Sequence, residues 1–248
     1  MGALARIKSF SRFEGLKSKL MMMKLKDFQP NVYFEMQAGH YTIKTASTVD
    51  ELFEVLTLRH EIFLRELQGR STLMGVDFDR YDLSGDHILL IDDRNGKVIG
   101  TYRLNCSIFT EDFYSSNEFA LENFLNSPGI KLELGRACVH AGYRRGAELG
   151  LIWQGLARYI KLVEADYLFG CASVQTTCYR TAMGLYAYLS NEHVVNEFNI
   201  VPQPKYEFSS LEFNQAPEVE NIASVMPNLL KSYLKAGAKI HSIPAIDR

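Results

Sequence analysis

An asparagine–glycine turn with an apolar run on either side is the feature that most constrains the fold. The two runs cover His87–Asp92 and Lys97–Leu104, and Arg94-Asn95-Gly96 lies between them. Asn-Gly pairs readily adopt the positive φ angles that tight hairpin turns need. Two apolar runs joined in this way therefore predict two antiparallel strands.

The segments after this hairpin alternate between strand and helix patterns. Lys131–Val139 predicts a strand, and Glu148–Val163 a helix with one apolar face. Tyr167–Val174 is an apolar run typical of a strand at the centre of a sheet, and Thr177–Leu189 predicts a further helix. Hairpin strands followed by a β-α-β-α order predict a mixed α/β fold.

Shorter patterns complete the predicted elements. Tyr41–Thr45 alternates like a strand, and Ser47 with Asp50 resembles a capping box that opens a long helix. Glu118–Leu125 predicts a short helix, and Pro227–Ala236 a helix that ends at a glycine.

Length and composition indicate one large domain in a reducing compartment. The chain has 248 residues, of which 47% are hydrophobic, enough for one sizeable core. A charged fraction of 23% and a net charge of -2 exclude a disordered chain and give no reason to expect a nucleic-acid partner. The four cysteines lack CxxC spacing, which predicts reduced thiols in a cytoplasmic protein. No apolar run is long enough to span a bilayer.

The first 30 residues form a basic amphipathic segment, distinct from the domain expected over residues 31–248. Residues 1–28 carry seven basic and two acidic side chains. Apolar residues recur at helical spacing: Leu4, Ile7, Phe10, Phe13, Leu16, Leu20 and Met23. This pattern is typical of a helix that lies on an anionic membrane, here through residues 4–26 on the inner face of the cytoplasmic membrane. A helix that packs on its own domain or on a partner has the same pattern, so both interpretations stay open.

Charged residues gather in the segment that precedes the hairpin. Asp77, Asp79 and Asp82 repel one another unless they meet a cation, so the loop suits an amino group, a metal ion or an arginine. It lacks the glycine and the terminal glutamate of an EF-hand, and a solvated acidic loop is the alternative. Arg59 and Glu66 lie on one helix, where a solvated face explains them equally well.

Two arginines interrupt predicted strands. Arg103 lies inside the second hairpin strand, where it must reach solvent or pair with a carboxylate. Glu133 and Arg136 lie three residues apart and would face opposite sides of a regular strand. A bulge at Gly135 would bring them onto one face, and such a buried pair favours a functional role over an ordinary ion pair.

The residues between that strand and the next helix suit a phosphate group. Tyr143, Arg144, Arg145 and Gly146 place two cations and a glycine just before a helix N-terminus, whose amide groups attract anions. The GxxxxGK[ST] pattern of a nucleotide-binding P-loop is missing, so we expect no ATP or GTP site.

Taken in order, these residues resemble a family of acyltransferases. The matching text is Arg59 with Phe63, Asp77, Asp79, Asp82, Asp86-His87, Gly100–Leu104, Phe113–Ser115, Glu133–Arg136, Tyr143-Arg144 and Leu168–Ser173. It resembles the GNAT-like N-acyl amino acid synthases of the ornithine–acyl-carrier-protein N-acyltransferase type, and more distantly the acyl-homoserine-lactone synthases. The resemblance implies a GNAT-like mixed sheet flanked by helices, and transfer of a long or 3-hydroxylated acyl chain to the α-amine of an amino acid.

The resemblance also implies the substrates and the roles of the site residues. The donor is the acyl-phosphopantetheine of acyl carrier protein, because the loop departs from the coenzyme A pattern R/Q-x-x-G-x-G/A; no bound cofactor and no metal ion are expected. The expected catalytic residues are Glu133, Arg136 and Asp79. The acceptor, by charge ornithine, is expected at Arg59, Asp77, Asp82 and Arg103, and the carrier at Tyr143, Arg144, Arg145 and Gly146.

Two other functions remain open from the sequence. An acyl-homoserine-lactone synthase or a small-molecule acetyltransferase would use the same fold with other substrates. A catalytically silent module that binds acyl chains or membranes would also have it, because fold does not guarantee activity.

Overall fold

The structure, a computed structural model, describes residues 23–72, 74–144, 148–209 and 221–246. Three groups of predicted residues lie outside the described residues: most of the basic N-terminal segment, Arg145 and Gly146. The strands are β1 Glu35–Ala38, β2 Tyr41–Thr45, β3 Asp86–Asp92, β4 Lys97–Cys106, β5 Phe119–Ala120, β6 Lys131–Val139, β7 Tyr167–Phe169 and β8 Val201–Pro202. The α-helices are α1 Val49–Arg59, α2 Glu122–Leu125, α3 Glu148–Val163, α4 Tyr179–His193 and α5 Asn228–Lys235.

The chain divides into two units. The first contains the described residues up to Glu111 together with Gly129–Phe169, and the second contains Asp112–Pro128 and the described residues from Gly170 onward. The predicted division at residue 30 stays a prediction. Among the described helices, none has both the length and the apolar character needed to cross a membrane.

A six-stranded sheet forms the first unit, in the order β1-β2-β3-β4-β6-β7. The β6–β7 pair is parallel and the other neighbours are antiparallel. The predicted hairpin is confirmed: β3 and β4 pair across the turn, and Gly96 has a φ of 66°. The predicted bounds of β2, β6 and α3 agree with the structure. A mixed sheet with helices is therefore the architecture of this unit.

A bulge interrupts β6 near the position expected from the sequence. Thr101 pairs with Cys138 and Arg103 pairs with Gly135, so β6 has one residue more than β4 between these pairs. Arg136, next to Gly135, has a φ of 53°. Left-handed backbone is uncommon for residues other than glycine, so the extra residue is accommodated at a local strain.

Helices cover both faces of the sheet. On one face, Leu89 packs with residues of α1, and Cys138 packs with Leu58 and Ile62. On the other face, α3 approaches closely at Gly155, where an added Cβ would lie 2.6 Å from Ile43 Cγ2. The missing side chain of Gly155 lets α3 pack directly on the sheet. The apolar residues of the sheet therefore lie between α1 and α3.

Helix α1 begins one residue later than the sequence pattern indicated. Thr48, rather than Ser47, is the N-cap, and its side chain accepts a hydrogen bond from the Glu51 backbone N–H. Glu51 in turn accepts hydrogen bonds from the Ser47 backbone N–H and hydroxyl, so Glu51 takes the part that the sequence pattern gave to Asp50. A π-helix, His60–Glu66, continues α1.

Two predictions near the unit boundaries are wrong. Strand β7 ends at Phe169 and lies at the edge of the sheet, with Leu168 48% exposed, whereas a central strand to Val174 was predicted. The later apolar residues belong to the second unit, where Val174 packs on the cluster that joins α4 and α5. The helix predicted over Glu118–Leu125 is divided, because β5 takes its first part and pairs with β8.

Candidate active site

Three arginines and three aspartates form one ion network in the first unit. Arg59 lies 2.6 Å from Asp82 and 2.9 Å from Asp77. Arg103 lies 2.6 Å from Asp79 and 2.9 Å from Asp82. Arg136 completes the network on the side of β6. Because each carboxylate meets at least one guanidinium, the acidic loop is not a solvated surface loop.

Backbone contacts hold the acidic loop in place. The Asp77 N–H donates to the Leu56 carbonyl oxygen at 3.0 Å, which fixes the loop to α1. Asp79 caps a 3₁₀ turn: its carboxylate accepts from the Tyr81 N–H at 2.9 Å, while the Asp79 N–H donates to Asp82 at 2.8 Å. This reciprocal cap gives the turn Arg80–Asp82 one defined geometry.

Asp82 is the centre of the network. Its side chain is fully buried, and Arg59 and Arg103 are also buried. Burial opposes ionisation of Asp82, but the two guanidinium charges outweigh it and hold the pKa of Asp82 below its ordinary value. Burial likewise opposes the charge of Arg59, and the charges of Asp82 and Asp77 outweigh it and raise the Arg59 pKa.

His87 lies beneath the network as a neutral group. It is fully buried on β3, and burial lowers its pKa to about 4. Its Nε2 lies 3.2 Å from the Asp82 carbonyl oxygen, so Nε2 carries the proton and donates it. His87 therefore adds no charge near neutral pH, and the three arginines and three aspartates balance.

The bulge places Arg136 at the accessible side of the network. Arg136 lies 3.6 Å from Asp77 and 3.4 Å from Asp79, and its guanidinium is 5.8 Å from the centre of the Phe63 ring. Its side chain is 30% exposed, against 13% for Asp77 and 22% for Asp79. These three side chains are the part of the network that a ligand can reach.

Glu133 lies on the network's side of the sheet. It pairs across strands with Asn105, whose side-chain amide donates to the Tyr81 carbonyl oxygen at 3.1 Å. Cross-strand partners face the same side, so Glu133 projects towards the acidic loop, as Arg103 does two residues before Asn105. Glu133 is 2% exposed. Arg136 has Asp77 and Asp79 beside it on this side of the sheet.

The loop after β6 is fixed by contacts that the sequence did not predict. Arg144 forms a two-pronged ion pair with Glu66 at the end of the π-helix, one contact being 2.8 Å, and its Nε donates to the Val139 carbonyl oxygen at 2.8 Å. The Tyr143 hydroxyl donates to Asp92 at 2.9 Å. Tyr143 and Arg144, the two predicted carrier-binding residues that the structure describes, are thus held against the first unit.

Comparison with known proteins identifies the family. Residues 58–154 match the acetyltransferase (GNAT) domain family. An L-ornithine N(alpha)-acyltransferase of Rhodobacter capsulatus is 30% identical over 220 residues, which cover 84% of this chain and 85% of that protein. The chain belongs to this family of N-acyltransferases. A protein of the same name from Brucella abortus is 29% identical over 84% of this chain and 80% of its own length.

Solved structures with similarity to this N-acyltransferase include the AHL synthase LasI. It is 23% identical, covers 54% of this chain and 72% of its own, and has a TM-score of 0.40. An aminoglycoside acetyltransferase from an uncultured soil metagenomic sample is 14% identical. The match covers 64% of this chain and 95% of that protein, with a TM-score of 0.39.

Several residues of the acyltransferase site had weak signals in the sequence. His87 was noted only as part of the resemblance, although its Nε2 lies 3.2 Å from the Asp82 carbonyl oxygen. Glu66 had two open interpretations, a site residue or a charge on a solvated helix face, and no sequence pattern singled out Asn105. The contacts of Glu66 with Arg144 and of Asn105 with Tyr81 join segments far apart in the chain, which local spacing does not reveal. Within the described residues, no group of three histidine, cysteine or acidic side chains is arranged to hold a metal ion.

Proposed function

We propose that this N-acyltransferase moves a fatty acyl group, 3-hydroxylated or not, from the phosphopantetheine thioester of acyl carrier protein to the α-amine of L-ornithine. The product is an N-acyl ornithine, a lyso-ornithine lipid. One observation carries the proposal: two partly exposed carboxylates, Asp77 and Asp79, lie beside Arg136 at a bulged strand. The two carboxylates suit the ammonium group of an amino acid acceptor, and the relatives named above act on L-ornithine by name.

The reaction proceeds by direct attack of the amine on the thioester carbon. Asp77 and Asp79 draw in the ammonium group, and Glu133 accepts one of its protons directly or through a water molecule. The free amine then forms the C–N bond as the C–S bond breaks, and the second proton lost by the nitrogen passes to the departing phosphopantetheine thiolate. A backbone N–H beside the bulge donates to the developing oxyanion, a contribution of roughly 2.7–4 kcal/mol in other acyl transfers. The β6–β7 ladder ends at the Glu133–Phe169 pair, so the later part of β6 offers backbone groups for the thioester.

Cys138 is expected to have no covalent role. It is buried among Leu58 and Ile62, and burial raises its pKa to about 12, which leaves almost no thiolate at neutral pH. We predict that Cys138→Ser leaves kcat within about twofold of the wild-type value, because no acyl-enzyme forms. Steady-state kinetics and intact-mass analysis of the enzyme with donor alone test this. Direct attack would be contradicted if the wild-type enzyme gained the mass of an acyl group from the donor and the Cys138→Ser variant did not.

Arg144 is proposed to contact the phosphate or the acidic surface of the carrier, together with Tyr143, Arg145 and Gly146. In the structure Glu66 neutralises it, and the hydrogen bond from Arg144 lowers the Glu66 pKa. Arg144→Gln is expected to raise the KM for the acyl carrier several-fold, most strongly at low salt. Glu66→Gln removes the competing carboxylate and should lower that KM. Effects of the same sign in both variants would assign the pair a structural role only.

The basic segment, residues 4–26, is proposed to attach the enzyme to the anionic inner face of the cytoplasmic membrane. At its described end, Leu25 packs against Leu52 and Leu56, so this end is fixed to the first unit. Each basic side chain near such a surface contributes about 1 kcal/mol. We expect the full chain to co-sediment with phosphatidylglycerol vesicles at low salt and to dissociate at high salt. Equal binding to uncharged phosphatidylcholine vesicles would refute the electrostatic attachment.

The reaction is tested with purified protein, acyl carrier loaded with a 3-hydroxyacyl or a plain acyl chain, and L-ornithine. Mass spectrometry should detect N-acyl ornithine, with fragments that locate the acyl group on the α-nitrogen. The matched acyl-coenzyme A measures donor preference, and lysine and 2,4-diaminobutyrate measure acceptor preference. Acylation of another amino acid alone would refute ornithine, and a lactone formed from S-adenosylmethionine would favour the homoserine-lactone synthase reaction.

A further inference from the structure

Arg136 differs from the other two arginines of the ion network in its access to solvent. Arg59 is fully buried and Arg103 is 2% exposed, and their ion pairs are 2.6–2.9 Å long. Arg136 is 30% exposed, and its ion pairs to Asp77 and Asp79 are 3.6 Å and 3.4 Å long. Arg59 and Arg103 therefore hold the network together, and Arg136 is the arginine that can bind a ligand.

The chain directs Arg136 to this place by a strained backbone. In a regular strand Arg136 would face away from Gly135, the cross-strand partner of Arg103. The extra residue and the φ of 53° turn the Arg136 side chain to the side of Asp77 and Asp79. Strained backbone at a non-glycine residue is typical of sites where the direction of one side chain matters.

The accessible groups match the charges of an α-amino acid. An α-amino acid carries an ammonium and a carboxylate on one carbon atom, so its two charges lie within a few ångströms of each other. Asp77 and Asp79 are suited to the ammonium, and Arg136, which contacts both of them, is suited to the carboxylate. A planar guanidinium binds a carboxylate through two parallel hydrogen bonds, which also fixes its orientation.

We propose that Arg136 binds the α-carboxylate of the acceptor and so selects amino acids over amines that lack this group. This inference rests on the proposed function and names what the site recognises in its acceptor. It differs from the catalytic role that the resemblance implies for Arg136, because a role in the chemical step would act on every acceptor alike. With the carboxylate held by Arg136, the α-amine lies next to Asp77 and Asp79, and a side-chain amine lies farther away.

Two acceptors that differ only at the carboxyl group test the inference. L-Ornithine and L-ornithine amide carry amines at the same two positions, and the amide lacks the negative charge. Because the α-amine of the amide is the weaker base, kcat/KM is expressed per concentration of free α-amine. The wild-type enzyme should acylate ornithine with a kcat/KM roughly 10- to 100-fold higher, the range expected for hydrogen bonds to a charged group. Arg136→Gln should lower kcat/KM for ornithine by a similar factor, mainly through KM, and change that of the amide little. Arg136→Lys should restore part of the preference.

The controls separate failure of the inference from failure of the proposed function. Arg158→Gln removes an exposed arginine on α3 and should keep the wild-type preference. Equal kcat/KM for the two acceptors in the wild type, or an equal fall for both in Arg136→Gln, would overturn the inference and leave the function standing. If another amino acid is the acceptor, the comparison is made with that amino acid and its amide. No acylation of any amino acid would overturn both, and the wild-type comparison stands even if Arg136→Gln does not fold.

Discussion

Replacing Asp82 with asparagine should lower the free energy of unfolding by about 3–5 kcal/mol, the usual cost of breaking a buried ion pair by removing one partner. Arg59 and Arg103 are both buried and share the Asp82 carboxylate. Asparagine keeps the shape and can still accept one hydrogen bond, but the network is left with one uncompensated positive charge. For a chain of this size the loss corresponds to a fall in Tm of roughly 6–20 °C.

Asp79→Asn provides the matched control for this prediction. Asp79 has the same chemistry and also binds Arg103, but its side chain is 22% exposed, so water can compensate part of the lost charge. Its effect on unfolding should be clearly smaller than that of Asp82→Asn, in thermal and urea unfolding followed by circular dichroism. Equal effects of the two substitutions would show that burial does not set the cost, and no effect of Asp82→Asn would refute the structural role of the network.

The same groups predict how stability falls in acid. His87 has a native pKa of about 4, below the value of about 6.5 in an unfolded chain, so the unfolded state binds more protons and stability falls as the pH drops from about 6.5 to about 4. The pKa of Asp82 is also lowered, so its contribution is complete above about pH 4 and is lost as the pH falls further. His87→Asn should flatten mainly the first range and Asp82→Asn mainly the second, because the Asp82 charge also acts on the His87 pKa. Urea unfolding at a series of pH values measures both variants.

The elements that sequence predicted well have strong local signals. The hairpin turn, β6 and α3 were predicted correctly because turn chemistry and apolar periodicity depend on neighbouring residues. Strand β7 was mistaken because an apolar run does not reveal that the chain passes into a second unit after Phe169. An apolar pattern in the sequence indicates that residues are buried, but it does not say in which unit. Val174 is an example, because it packs in the second unit and not against the sheet.

The site was predicted as a set of residues and not as a set of contacts. The sequence suggested that the three aspartates meet an amine, a metal ion or an arginine, and it could not choose among them. The structure pairs them with three arginines that come from α1, β4 and the β6 bulge. Charge balance across segments far apart in the chain decides this outcome, so the roles of Asp82 and Asp79 differ although they lie three residues apart.

Glu133→Gln should lower kcat by roughly 10²–10⁴-fold, the range for loss of a general base. Glu133 lies on the same side of the sheet as the network and is buried, whereas glutamine has nearly the same shape and cannot accept the ammonium proton. The KM for ornithine should change little, because the acceptor is held by other groups. Glu133→Asp, which retracts the carboxylate by one methylene, should retain part of the activity. Steady-state kinetics with saturating acyl carrier and ornithine measure both variants.

A second buried carboxylate distinguishes loss of chemistry from loss of structure. Asp86 accepts hydrogen bonds from the Tyr159 hydroxyl at 2.6 Å and from two backbone N–H groups, on the α3 side of the sheet. Asp86→Asn is therefore expected to reduce Tm and to leave kcat nearly unchanged at a temperature where the protein is folded. Raising the pH converts more of the acceptor's ammonium group to the free amine. This should partly restore kcat in Glu133→Gln, because the base is then needed less. Near-normal kcat in Glu133→Gln, or no recovery at high pH, would remove Glu133 as the base and leave Asp77 and Asp79 as the carboxylates at the accessible side of the network.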